Sequence, residues 1–279
     1  MLKTIGKAVV HSLGLRPPGR NVEVLADDVF VVSYPKSGNT WVRFLIAHLV
    51  AEGRPVDFSS VQEIVPGIDW LSAKKLGSLT RPRILKSHEY FDPRYEKLLY
   101  LVRDPRDVVV SFYHHDIRRR LIPEGYPMEQ YVARFLAGGL DPYGSWHEHV
   151  GSWLGARDGD PGFLLVRYED LSAAPQQGLR RIADFLGLRP SDAELGLACE
   201  RSSFEAMRKL ERFQAETAGN LSRVRVQQPF VRSGTVGGWR REIPPALAAQ
   251  ITARWGTTMA ALGYGKPAAA PELADETAS

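Results

Sequence analysis

The sequence predicts an α/β domain with a mostly parallel central sheet flanked by helices. Three observations predict it. Short apolar runs alternate with stretches of helical period along most of the chain, the order that a parallel sheet with crossover helices imposes. The 279 residues suffice to bury one large core. Hydrophobic residues at 44% and charged residues at 24% lie near globular averages, which excludes a disordered chain.

The first strand is "DVFVVSY" (28–34), rich in β-branched and aromatic residues, and a helical pattern follows from Thr40 to Ala51. "RPRILKS" (81–87) and "EKLLYLVR" (96–103) give the second and third strands, with a helix from Arg106 to about Arg119. "GFLLVRYE" (162–169) gives the fourth, before a helix over Gln176–Leu186. The Pro244-Pro245 breaker opens a last helix, Pro245–Leu262. Between 120 and 160, the glycines, prolines and aromatics of "IPEGYPMEQY" and "GGLDPYGSW" predict short helices and loops over the sheet. The stretch 214–240 has no period and predicts a long functional or mobile loop. The low-complexity tail "KPAAAPELADETAS" predicts disorder. These boundaries divide the chain into an N-terminal extension (1–24), one domain (25–265) and a tail (266–279).

A net charge of +4, from 36 basic and 32 acidic residues, suits a small anionic ligand better than a nucleic-acid duplex. Cys199 is the only cysteine, so no internal disulfide forms and a reducing cytoplasm is the default. No run approaches the ~18–20 apolar residues that span a bilayer. In "MLKTIGKAVVHSLGLRPPGR", Leu2, Ile5, Val9 and Leu13 recur at helical spacing among basic residues. Such a basic amphipathic helix can rest peripherally on an anionic membrane surface or dock on the domain itself.

"YPKSGNTW" (34–41) sits at the turn between the first strand and its helix. Backbone N–H groups at that helix start favour anions. Gly38 allows close approach, Ser37, Asn39 and Thr40 add polar groups, and Lys36 adds charge. An ordinary turn with Thr40 as N-cap is the plain alternative. The third strand ends in Arg103, where magnesium-dependent nucleotide enzymes typically place a metal-binding Asp. An arginine there favours a further phosphate, held bidentately, with Ser111 in reach on the next helix. Asp104 and Asp107 suit helix capping at least as well as a metal. "RSGTVGGWR" (232–240) adds a glycine-rich segment flanked by Arg232 and Arg240. Together these segments predict a nucleotide with two separate anionic ends and no metal.

These residues resemble the cytosolic-type sulfotransferase family, which uses 3′-phosphoadenosine 5′-phosphosulfate (PAPS). "YPKSGNTW" is similar to its 5′-phosphosulfate loop, "LVRDPRDVVVSFYHH" to its 3′-phosphate segment and "FVRSGTVGGWR" to its late clamp. "RYEDL" (167–171) and "SSFEAM" (202–207) match two further segments, and all five occur in the family's order. The resemblance implies a P-loop-like, three-layer α/β fold. It implies Lys36, Ser37, Gly38, Asn39 and Thr40 around the 5′-phosphosulfate, and Trp41, Tyr168 and Phe204 around adenine with Ser202 nearby. Arg103, Ser111, Arg232, Ser233 and Gly234 then belong to the 3′-phosphate. Ser233 departs from the family's usual lysine and Gly238 from its usual aspartate, which bears on affinity. The short dimerisation motif K-x-x-x-T-V-x-x-x-E has no match near the C-terminus, which leaves the oligomeric state open.

"LKSHEYF" alternates Lys86 and His88 onto one side of the second strand, toward the carboxyl edge where open α/β sheets bind ligands. Sulfuryl transfer needs a base for the acceptor, and a histidine with an ordinary pKa of about 6.5 suits it. A hydrogen-bonded structural histidine is the plain alternative; the family match places the base at His88. Lys36 and Lys86 can stabilise the transferring group without a metal. His147 and His149 point apart on a helix, which disfavours zinc, and "HHDIRRR" reads as a solvated helix end. Trp70, Tyr90, Phe91, Tyr126, Tyr143 and Trp146 can line an apolar acceptor pocket, or fill the core. The reading is a cytoplasmic transferase acting on a hydroxyl of a small molecule, lipid or sugar conjugate. A P-loop kinase using ATP and a regulatory protein that only holds the nucleotide are its rivals.

Overall fold

Four of the apolar runs form the strands of one parallel sheet: β1 (Val29–Ser33), β2 (Ile84–Ser87), β3 (Lys97–Val102) and β4 (Phe163–Arg167). The computed structural model describes residues 22–69, 73–214, 229, 231–232 and 234–265. The predicted amphipathic extension, Trp70, Ser233, most of the predicted loop after Gln214 and the tail lie outside them. The strand order is β2-β1-β3-β4. The chain therefore leaves β1 toward one side of the sheet and comes back to the other side as β3. That reversal opens a crevice at the carboxyl ends of β1 and β3.

Helices follow as α1 (Asn39–Val50), α2 (Val61–Ile64), α3 (Ala73–Gly77), α4 (Pro105–Arg118), α5 (Met128–Leu136) and α6 (Trp146–Arg157). Then come α7 (Tyr168–Ala173), α8 (Pro175–Leu186), α9 (Asp192–Arg201), α10 (Phe204–Gln214), α11 (Trp239–Glu242) and α12 (Pro245–Ala261). Alternation along the strands separates two cores. Phe30, Val32, Leu98 and Tyr100 pack with residues of α4, α5, α6 and α12 on one face. Val31, Leu99 and Leu101 pack with α1, α8 and α9 on the other. This is the three-layer arrangement predicted. Each large side chain fully buried in these layers contributes roughly 1.5–3 kcal/mol. The free edge of β2 is covered: Lys86 N–H donates to Pro66 (2.8 Å) and Ile68 N–H donates to the Lys86 carbonyl (3.0 Å). Among the described residues no helix is long and apolar enough to cross a membrane.

Residues 120–160 form two short helices, α5 and α6, joined by loops, and a capping box of Ser145 and Glu148 starts α6. One expectation is corrected: the end of α4 is only partly solvated, with Arg119 and Arg120 exposed. Asp116 is buried and accepts the Tyr131 hydroxyl (2.7 Å), and buried Arg118 faces Glu211 (3.8 Å).

Candidate active site

The turn after β1 is held in a conformation that few residues adopt. Lys36 has φ +69° and Gly38 φ +100°, and α1 begins at Asn39 with no side-chain cap, so Thr40 is not the N-cap. A Cβ at Gly38 would stand 2.5 Å from Cδ2 of Tyr168. Glycine is required here by backbone angle and by the ring of α7 lying against it. Asn39 Nδ2 donates to the Val31 carbonyl (3.3 Å) and Ser33 Oγ (3.1 Å), tying α1 back to β1. Ser37 Oγ and Asn39 Oδ1 are buried and have no hydrogen-bond partner among the described residues.

Tyr168, at the carboxyl end of β4, gathers the other predicted segments. Trp41 packs edge-on to its ring (5.4 Å), the Arg103 guanidinium lies over it (4.3 Å), and its hydroxyl donates to the Gly234 carbonyl (3.1 Å). Phe204 lies against Gly234, where an added Cβ would come within 3.2 Å of its ring. Arg103 donates to the Thr235 carbonyl (3.1 Å). Its Nε, like Ser202 Oγ, is buried with no hydrogen-bond partner among the described residues. Asp104 caps α4 by accepting Arg106 N–H (2.9 Å). Asp107 accepts Gly237 N–H (2.7 Å) and Trp239 N–H (2.9 Å), so both carboxylates are engaged structurally. These bonds also bear on Gly238, whose amide neighbours are held by Asp107 of α4. Arg232 pairs with Glu242 (2.6 Å). Ser111 is half-buried in the middle of α4, and among the described residues no hydrogen bond joins its side chain to the other predicted site residues.

A buried polar atom left without a partner costs roughly 1–3 kcal/mol. Ser37 Oγ, next to the Gly38 turn that meets Tyr168, and Arg103 Nε, on the guanidinium over the same ring, carry that cost, as does Ser202 Oγ two residues before Phe204. Those donors, with the uncapped start of α1, fit an elongated ligand with anionic groups at both ends.

Beside the cradle, β2 presents Lys86 and His88. Lys86 lies opposite Val31 of β1, is 7% exposed and pairs with Asp69 (3.4 Å). Burial lowers its pKa, against the pull of Asp69. Lys36 is brought down to about 7, first by burial and then by the nearby Arg118. His88 Nδ1 lies 2.7 Å from the Ser33 carbonyl oxygen, which can only accept. Nδ1 therefore carries a proton, and in the neutral ring Nε2 keeps its lone pair. Burial first, and Lys86 second, hold His88 well below its ordinary 6.5, so that the neutral ring prevails.

Sequence reading missed what holds His88 in place. His149 of α6 is fully buried, with Nε2 3.0 Å from the His88 carbonyl and Nδ1 2.8 Å from the Tyr100 hydroxyl. Trp153, one turn on, donates to the Glu89 carbonyl (2.9 Å). The i, i+4 spacing of His149 and Trp153 was the available signal. His147 bonds Thr258 instead (2.8 Å), so the two histidines do separate work. Of the candidate acceptor aromatics, Trp146 is core and stacks on Trp255 (5.7 Å), Tyr126 packs on Tyr131 (6.3 Å) and Phe91 on Trp153 (5.5 Å). Tyr143 reaches His88 (5.7 Å between ring centres), and Tyr90 lies on His149 (5.4 Å).

Residues 26–263 match the family model described as "Sulfotransferase domain". Sulfotransferase 1B1 of Mus musculus is 33% identical over 229 residues, 76% of each chain. Among solved structures, retinol dehydratase in complex with androsterone and inactive cofactor PAP superposes with a TM-score of 0.73 at 21% identity, over 90% of this chain and 84% of its own. Mouse sulfotransferase SULT7A1 complexed with PAP gives 0.68 at 24% identity, over 86% of each chain. These likenesses carry the fold.

Proposed function

This chain belongs to the sulfotransferase domain family, and we propose that it moves a sulfuryl group from PAPS to a hydroxyl of a small-molecule, lipid or sugar-conjugate acceptor. The observation that carries the proposal is the pairing at Tyr168 of Ser37, beside Gly38, and the Arg103 guanidinium, each with a buried polar atom that has no partner among the described residues, together with a histidine after β2 whose Nε2 is free to take a proton. PAPS, when bound, supplies the sulfuryl group on its 5′-phosphate.

Residues 36–40 hold the 5′ end through α1 N–H groups, Ser37 Oγ and the Lys36 ammonium. Trp41, Tyr168 and Phe204 enclose the adenine, with Ser202 at its edge. Arg103, Ser111, Arg232 and the turn at Gly234 take the 3′-phosphate, with Ser233 alongside. The Nε2 of His88 removes the acceptor hydroxyl's proton, while the Nδ1–H bond to Ser33 fixes the ring. Lys36 and Lys86 stabilise the negative charge that develops on the transferring group and the leaving oxygen. We further place the protein in the cytoplasm, where residues 1–20 would be the part to meet an anionic membrane.

The test is sulfuryl transfer from radiolabelled PAPS to a panel of phenols, sterols and glycosides, with wild type and His88→Ala side by side. The variant loses roughly 10²–10⁴-fold in turnover on whichever acceptor wild type uses. The acid limb of kcat/KM in wild type lies below pH 6.5, because the lowered pKa keeps His88 neutral to more acidic pH. Near wild-type turnover in a folded His88→Ala protein removes His88 as the base. No transfer to any acceptor by a PAPS-binding wild type favours the purely binding role.

A further inference from the structure

Arg232 lies outside regular secondary structure, two residues before the turn at Gly234. A long arginine in irregular chain loses much rotamer freedom on holding a phosphate, unless something has already set its direction. Its guanidinium is set. Nη1 donates to Glu242 Oε1 (2.6 Å), and Glu242 Oε2 meets His114 Nε2 (2.5 Å). Both oxygens of one carboxylate are thus used to tie Arg232 to α4. His114 is three residues, one turn, beyond Ser111 on that helix, which places them on neighbouring positions of one face.

Glu242 is itself firmly placed. It closes α11, whose first residue, Trp239, is held through its N–H by Asp107, in the first turn of the same α4. Burial works against the Glu242 charge, but hydrogen bonds from His114 and Arg232 hold its carboxyl below the ordinary value. The carboxylate is therefore ionised wherever the domain is folded at neutral pH. Its charge draws off part of the Arg232 charge but fixes the direction of the fork.

We propose that Glu242 is a positioning residue: by bridging Arg232 to His114 it aims the guanidinium at the 3′-phosphate, and so sets how strongly the site prefers a nucleotide bearing that phosphate over one without it. This rests on the reading of Arg232 as a 3′-phosphate ligand. The selectivity concerns nucleoside 5′-phosphates and 5′-phosphosulfates in general, since the 5′ end is held elsewhere, at Lys36–Thr40.

The experiment measures calorimetric affinities for adenosine 3′,5′-bisphosphate and for AMP, and takes their ratio as the value of the 3′-phosphate. It is run on wild type, Glu242→Gln, Arg232→Ala and the double variant, with thermal melts to check folding. Glu242→Gln keeps the shape and removes the charge. The expected result is a ratio about tenfold lower, the scale of a hydrogen bond to a charged group, with AMP affinity unchanged. In the double variant the Glu242 substitution adds no further loss. His114→Gln, which retains a donor toward Glu242, keeps most of the ratio.

A ratio that stays the same or rises in Glu242→Gln, while Arg232→Ala lowers it, overturns the proposal. A rise would mean that Glu242 competes with the phosphate. Equal losses for both nucleotides mean a structural role and overturn it too. An unchanged ratio in Arg232→Ala overturns the underlying reading of Arg232 instead, whatever Glu242 does.

Discussion

The cradle at 34–41 and the clamp at 231–242 serve opposite ends of the same proposed ligand, yet they are built differently. The cradle is a continuous stretch between a central strand and its helix. Its geometry comes from Gly38 at φ +100° and from hydrogen bonds that tie Asn39 back to β1. The clamp has no strand behind it. Its shape comes from partners far away in sequence: Asp107 holds the amides of Gly237 and Trp239, Tyr168 holds Gly234, Arg103 holds Thr235, and Glu242 holds Arg232. A site organised by local backbone fails when its own residues change. One organised by distant side chains fails when those side chains change.

That contrast can be broken. Gly38→Ala puts a methyl into the Tyr168 ring at a positive φ, so the strain falls on the cradle itself. Backbone strain of ~1–3 kcal/mol corresponds to about a 5–150-fold loss of adenosine 3′,5′-bisphosphate affinity, read by calorimetry. AMP should lose as much, because the 5′ end is common to both. Asp107→Ala should do less and do it selectively. Releasing two amides loosens the clamp, and affinity for the bisphosphate falls about tenfold while AMP changes little. If Asp107→Ala weakened both nucleotides equally, the clamp would not be a separate unit and the comparison would fail.

The same contrast explains how much could be read in advance. All four strands and the helices at 39–50, 105–118, 175–186 and 245–261 follow from apolar period and proline position, to within a few residues. Lys86 and His88 were legible because strand alternation alone puts them on one side. The capping box Ser145–Glu148 that starts α6 and the one at Ser191–Glu194 that starts α9 are local signals as well, S-x-x-E in both cases. The partners of the clamp were not legible. Asp107 looked like a helix-capping residue, and nothing local says that it reaches residues 237 and 239, some 130 positions on. Likewise the burial of Asp116 and Arg118 depends on Tyr131 and Glu211, which "HHDIRRR" does not contain. The aromatics of 120–160 went largely to the core for the same reason: α6 packs Trp146 and Trp153 inward, and only Tyr143 is left against His88.

The cradle and the clamp together are expected to recognise a nucleotide by two anionic ends and without a metal. Calorimetric titration of the protein with adenosine 3′,5′-bisphosphate, with and without magnesium and with ATP for comparison, tests this most directly. The account predicts tight binding that magnesium does not change and that is much weaker for ATP. Above pH 7 it also predicts proton uptake on binding, seen as a heat that varies with the buffer, because Lys36 near 7 in the free protein regains its charge beside the anion. A preference for ATP that depends on magnesium would contradict the account.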